Sequence, residues 1–111
     1  MILLCSTVPA AAVHEIQSKI VQRERSDIFL IDCPVSGGTA RAAQGTLTIL
    51  AGGSPEALEK GNGVLSCLSE KLYIVGDLGV GSNVKMINQL LVGVHIAAAA
   101  EAMGLAAKAG L

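Results

Sequence analysis

Gly76-Asp-Leu-Gly-Val-Gly81-Ser-Asn-Val-Lys85-Met-Ile-Asn88-Gln89 decides how the rest of the chain is read. Ahead of it runs Leu72-Tyr-Ile-Val75, a strand-like stretch that the glycines end in a turn. Behind it lies a long helix pattern, predicted from Asn83 to Ala109. Val84, Ile87, Leu91, Val94, Ala98, Ala102, Leu105 and Ala109 recur in steps of three and four. A second row, Val92, Ile96 and Ala99, makes much of the remaining surface apolar. Such a helix is buried or sandwiched between two bodies. Lys85 falls in the predicted first turn, with Asn88 and Gln89 one turn on, so the three project from one face. A lysine there faces the positive end of the helix dipole and does nothing for the helix's own stability. Two readings stay open: a solvated surface lysine with two amides beside it, or a cation kept for chemistry.

Composition sets the bounds. A chain of 111 residues suffices for one core. With 51% hydrophobic residues it is globular rather than disordered. Phe29 and Tyr73 are the only aromatic residues, so the core is built from aliphatic side chains. A net charge of −1 with no basic run excludes a nucleic-acid footprint and a polybasic membrane patch. Cys5, Cys33 and Cys67 sit in or beside apolar runs at no metal-ligand spacing, and so read as reduced thiols of a cytoplasmic protein with no metal. Met1-Ile-Leu-Leu-Cys5 is too short for a signal segment. The Ala-rich stretch Leu90 to Ala100 is half the length of a membrane span and is predicted to be a buried helix, with no membrane contact.

Taken in order, Met1 to Cys5 reads as a buried strand. Ser6-Thr-Val-Pro9 starts a helix whose stripe is Ala12, Val13, Ile16 and Ile20, running to about Arg25. Ile28 to Cys33 is the second strand, stopped by Pro34. Val35-Ser36-Gly37-Gly38-Thr39 then leads into a short helix ended by Gly45. Ser36, Gly37 and Gly38 therefore lie at a helix N-terminus, where N–H groups are unpaired. That stretch is either a cradle for a carboxylate or an ordinary Gly-Gly turn capped by Ser36. Thr46 to Ala51 is a third strand. Ser54-Pro-Glu56 opens a helix weakened in the middle by Gly61 and Gly63, and Lys71 to Val75 is the fourth strand. The fold class is α/β. His14 lies on a polar helix face; His95, on the long helix, is either a satisfied core histidine or a pocket residue.

Three stretches together resemble the β-hydroxyacid dehydrogenases, a family that includes the 3-hydroxyisobutyrate, tartronate semialdehyde and 6-phosphogluconate dehydrogenases. They are Cys5-Ser-Thr-Val-Pro9, Asp32-Cys-Pro-Val-Ser36-Gly-Gly-Thr-Ala-Arg-Ala-Ala-Gln-Gly45-Thr-Leu-Thr48, and Gly79-Val-Gly-Ser-Asn-Val-Lys85-Met-Ile-Asn-Gln89. The run from Lys85 through Gly93-Val-His-Ile96 to Ala102 is most similar to the L-threonate dehydrogenase branch. The resemblance implies Lys85 as general acid and base, Ser36, Gly37 and Gly38 at the substrate carboxylate, and Thr7 near the nicotinamide and its ribose. It puts Asn88 and Gln89 beside the substrate. The family commonly has Asn four residues after the lysine; Gln89 stands there, one methylene longer, and a polyhydroxy acid such as L-threonate offers it more hydroxyls.

The same resemblance sets the expected architecture. Residues 1–82 correspond to the C-terminal half of a Rossmann-type NAD(P)-binding domain, and residues 83–111 to a long interdomain helix that leads to a helical domain. The family's GxGxxG has no counterpart here, so the NAD or NADP site is expected to be incomplete. The chain alone is expected to bind cofactor weakly or not at all, and to turn nothing over. Its long helix is expected to meet a missing domain, a second copy or a partner subunit. The alternative expectation is a truncated, catalytically inactive family member or interaction module.

Overall fold

The computed structural model describes residues 1–111 as strands and four helices that alternate along the chain. β1 (Ile2–Leu4) lies parallel to β2 (Leu30–Asp32), with Ile2 opposite Leu30 and Leu4 opposite Asp32. Between them α1 (Ala10–Gln22) makes the crossover; it stops three residues short of the predicted Arg25, and Glu24 turns the chain with a positive φ of 54°. Pro34 then interrupts the second strand, and β3 (Val35–Ser36) continues beyond it, so four predicted strands become five. Proline has no N–H for a ladder, but the Pro34 carbonyl still accepts from Leu50 N at 3.1 Å, which keeps the broken strand in the sheet.

β4 (Leu47–Gly52) returns antiparallel, pairing Val35 with Ile49 and Asp32 with Gly52. The direction follows from the link. Only the short α2 (Gly38–Gln44) and a few flanking residues join β3 to β4, less than the dozen or so that a parallel crossover takes. β5 (Ser69–Gly76) follows α3 (Pro55–Leu68) and lies parallel to β4. Two predicted boundaries hold, those at Gly45 and Ser54. Gly45 ends α2 at φ 66°, and Ser54 Oγ accepts from Ala57 N at 3.2 Å to open α3. Gly61 also lets α3 close on the sheet, because a Cβ there would meet the end of the Ile31 side chain.

Alternation along the strands sends neighbouring side chains to opposite faces. Ile31, Cys33, Ile49 and Ala51 pack with Ala57 and Leu65 of α3 on one face. Leu30 packs with Val13 and Ile20 of α1 on the other. Each such aliphatic side chain contributes about 1.5–3 kcal/mol when fully buried. α4 (Val80–Lys108) starts on this second face, three residues before the predicted Asn83, because Gly79 takes φ 90° and caps it. Lys85 therefore stands in the second turn, not the first.

Within α4 only Gly81, Ser82 and Lys85 are buried. The stretch Leu90 to Ala100, predicted to be buried, is exposed: Leu90 and Ile96 are each 66% accessible. The sheet simply ends. The molecule measures 65 × 29 × 19 Å, and a helix of 29 residues is about 43 Å long. By length and composition α4 is also apolar enough to cross a membrane, with a mean hydropathy of 1.7 in its most apolar window, which on its own is weak evidence of a span.

Candidate functional site

Two segments distant in sequence meet where α4 crosses the sheet. Lys85 is 6% exposed, and its Nζ donates to Ser36 Oγ at 2.8 Å. Ser36 is the last residue of β3, and Lys85 reaches it from α4. A buried amino group is tolerated only where it is hydrogen-bonded, and no carboxylate lies within ion-pair distance of Lys85; the four ion pairs are all elsewhere, on the surface. The lysine is thus held by a neutral hydroxyl.

The approach of α4 needs room that only glycine gives. At Gly81 a Cβ would stand 2.5 Å from the Leu50 carbonyl oxygen and 2.7 Å from that of Asp32. One residue on, Ser82 meets Asp32 at two points. Its backbone N–H donates to Oδ2 and its hydroxyl donates to Oδ1, each at 2.7 Å. Asp32 and Ser82 are 0% and 1% exposed. Sequence reading gave neither residue a role. The signal was present: Asp32 is a lone acid in the apolar run Ile28-Phe-Leu-Ile-Asp-Cys33, and a buried carboxylate requires hydrogen-bond partners.

The other expected site residues are placed as follows. Gly37 (φ 136°) caps α2 and Gly38 (φ 65°) opens it; both are exposed, and open space faces Gly38 where a Cβ would be. Thr7 is exposed in the link that leaves the C-terminal end of β1. Asn88 is half-buried and Gln89 is exposed on α4. The structure brings Lys85 to Ser36; no side-chain hydrogen bond joins any of the other five to either. His95 is exposed, so this chain gives it neither a core nor a pocket. His14 is exposed too but packs on the turn before α4, its Nε2 lying 2.8 Å from where a Gly79 Cβ would be.

Beside Asp32, the Cys5 and Cys33 thiols lie 3.7 Å apart, and all three cysteines are free. Burial, first, and then the neighbouring Cys5 and Asp32 push the Cys33 thiol well above its ordinary value. No three His, Cys, Asp or Glu side chains converge as metal ligands. A concavity of about 660 Å³ opens between the end of α1, Phe29 and the start of α3, away from Lys85 and Ser36.

Residues 1–76 match the family described as the NAD binding domain of 6-phosphogluconate dehydrogenase, and residues 79–111 match that described as NAD-binding of NADP-dependent 3-hydroxyisobutyrate dehydrogenase. The break between the two matches falls in the turn before α4. Over 112 residues the chain is 43% identical to an L-threonate dehydrogenase of Pectobacterium atrosepticum, covering 100% of this chain and 36% of that protein. With an L-threonate dehydrogenase of Escherichia coli it shares 45% identity over 111 residues, 99% of this chain and 36% of the relative. Among solved structures, a 3-hydroxyisobutyrate dehydrogenase from Salmonella typhimurium superposes with a TM-score of 0.87 at 44% identity, over 98% of this chain and 38% of that one. The chain spans about a third of the length of the relatives it matches.

Proposed function

Because this chain belongs to the family of NAD binding domains of 6-phosphogluconate dehydrogenase, we propose that it is part of an NAD(P)-dependent oxidoreductase acting on a small 3-hydroxy acid such as L-threonate. Residues 1–82 would supply the C-terminal half of the cofactor domain, and residues 83–111 the interdomain helix, whose first turns already lie on the sheet. The observation that carries the reading is Lys85: buried, without a counter-ion, and hydrogen-bonded to Ser36 Oγ at 2.8 Å across 49 positions of sequence.

The roles follow from that pair. Lys85 Nζ takes the substrate hydroxyl proton in oxidation and returns it in reduction. Ser36, Gly37 and Gly38 bind the carboxylate, Gly38 offering open backbone. Asn88 and Gln89, one turn beyond Lys85 on its face, hold further hydroxyls. Ligands of open α/β sheets sit beyond the carboxyl ends of the strands, and Thr7 leaves β1 at that end, next to the nicotinamide and ribose of NAD or NADP. Bound there, the nicotinamide would supply the hydride acceptor at C4. The residues fit that end of the cofactor alone; no glycine-rich turn for the pyrophosphate is among them. With three free cysteines, the protein fits a reducing cytoplasm.

A second reading rests on a different observation. The outer length of α4 is apolar and exposed. It fits a second copy or a partner subunit, and a catalytically inactive module of the family would need only that. Calorimetric titration of the chain with NAD(H) and NADP(H), with and without L-threonate, decides between the two. Saturable nucleotide binding, strengthened by L-threonate, supports the dehydrogenase, and Lys85→Ala should then lower turnover by about 10²–10⁴-fold with the fold unchanged, the usual contribution of a general acid or base. A folded chain that binds neither ligand has residues of the site without the site, and the dehydrogenase activity is then not assigned to this chain alone.

A further inference from the structure

Ser82 is the third residue of α4, and its N–H is one of the unpaired donors of a helix N-terminus. An N-cap side chain ordinarily satisfies such a group. Here the cap is Gly79, which has none. The acceptor comes instead from Asp32, fifty positions earlier, at the end of β2. We infer that Asp32 and Ser82 form a clamp that sets the rotation of α4 about its own axis and so aims Lys85 Nζ at Ser36. They are positioning residues, and the inference rests on the proposed role of Lys85.

Three features make the clamp directional. Gly81 fixes how close the helix comes, since its backbone lies on the carbonyls of Leu50 and Asp32. Asp32 fixes the angle, because its two oxygens each take a different donor of the same residue. Lys85 lies three residues beyond Ser82 and therefore on the same helix face, while Ser36 lies further along the same broken strand as Asp32. Side-chain hydrogen bonds thus join helix and strand at two points, Ser82 on Asp32 and Lys85 on Ser36. Turning α4 to break the first contact moves the second. A carboxylate at the positive end of α4 is also favourable in itself, and no other buried side-chain polar atom is left to compete for it.

The test is the reactivity of Lys85 toward reductive methylation, followed by peptide mass spectrometry, with the exposed Lys19, Lys60, Lys71 and Lys108 as internal references. This measures where Nζ is, not whether the chain is active, so failure of the clamp and failure of the dehydrogenase reading show up separately. In the unmodified protein Lys85 should react slowest. Ser82→Ala removes one of the two bonds and should speed Lys85 by about fivefold or more, the effect of losing a hydrogen bond to a charged group, with the reference lysines unchanged. Asp32→Asn keeps an acceptor for the N–H and a donor for the hydroxyl, so it should restore slow reaction; Asp32→Ala should not. Circular dichroism checks each fold, and if Asp32→Ala does not fold, Ser82→Ala and Asp32→Asn decide. A folded Ser82→Ala protein in which Lys85 reacts at the original rate overturns the clamp, as does an Asp32→Asn protein in which Lys85 reacts as fast as an exposed lysine.

Discussion

Cys33 is fully buried between Asp32 and Pro34, with Cys5 Sγ 3.7 Å away. Its neighbours are all poor company for a thiolate: apolar packing on one face, a carboxylate next in sequence, and a second thiol. Burial is the largest cause of its upward shift. The sign of the consequence is fixed. A group with a raised value in the folded state contributes stability that is full below its unfolded value and is lost as pH rises beyond it. The ordinary value is 9.0, so thermal midpoints should fall once the pH passes about 9, and Cys33→Ala should flatten that alkaline fall. Alkylation by iodoacetamide at mildly alkaline pH should mark the exposed Cys5 and Cys67 and spare Cys33. Labelling of Cys33 at the rate of Cys67 would mean that this face of the sheet opens.

α4 shows how one residue type reverses its effect along a single element. Glycine inside a helix costs about 1 kcal/mol relative to alanine. At Gly93 nothing lies within 4 Å of an added Cβ, so Gly93→Ala should stabilise by about 0.5–1 kcal/mol and raise helicity. At Gly81 the Cβ would meet two backbone oxygens, so Gly81→Ala should destabilise by about 1–3 kcal/mol, the range for overpacked sites. Urea unfolding of the two variants tests the pair, and equal effects would mean that α4 does not sit on the sheet as described. The same element marks the limit of what was legible in the sequence. Ser54-Pro55 and Gly45 acted locally, and their reading held. The start of α4 was set instead by Gly79 and by Asp32, a contact made through the fold, so the start moved from Asn83 to Val80. Val35 and Ser36 lie beyond the proline that ends the predicted second strand, and only their pairing with β4 makes them a strand. Lys85 and Ser36 were both visible as residues, but helical spacing says nothing of a contact between them; only the family resemblance linked the two stretches.

At the scale of the whole molecule the sheet and its helices end well short of α4. Leu90, Leu91, Val94, Ile96, Met103 and Leu105 are all at least half exposed. A soluble domain rarely leaves so long an apolar row uncovered, and such rows mark contacts with another body. Sedimentation at rising concentration should therefore show species larger than one chain. Leu91→Glu with Ile96→Glu should return the chain to a single-chain species without loss of the sheet, whose core lies on β2, β4, α1 and α3. A chain that stays monomeric at every concentration would leave α4 waiting for a different protein. The relatives, about three times as long, have further residues with which to cover such a helix.

Where α4 leaves the sheet, the terms of its survival change. Its first two turns are tied to β2 and β3 by Ser82 and Lys85, so their amides can exchange with water only when that docking opens. Beyond Asn88 the backbone bonds are guarded by nothing except the helix–coil balance of an Ala-rich segment, which is marginal for a helix of that length in water. Opening there is a local event of low free energy, independent of the sheet. One continuous helix is thus expected to open in two units, an outer one beyond Asn88 that frays by itself and an inner one that opens only when its docking on the sheet is lost.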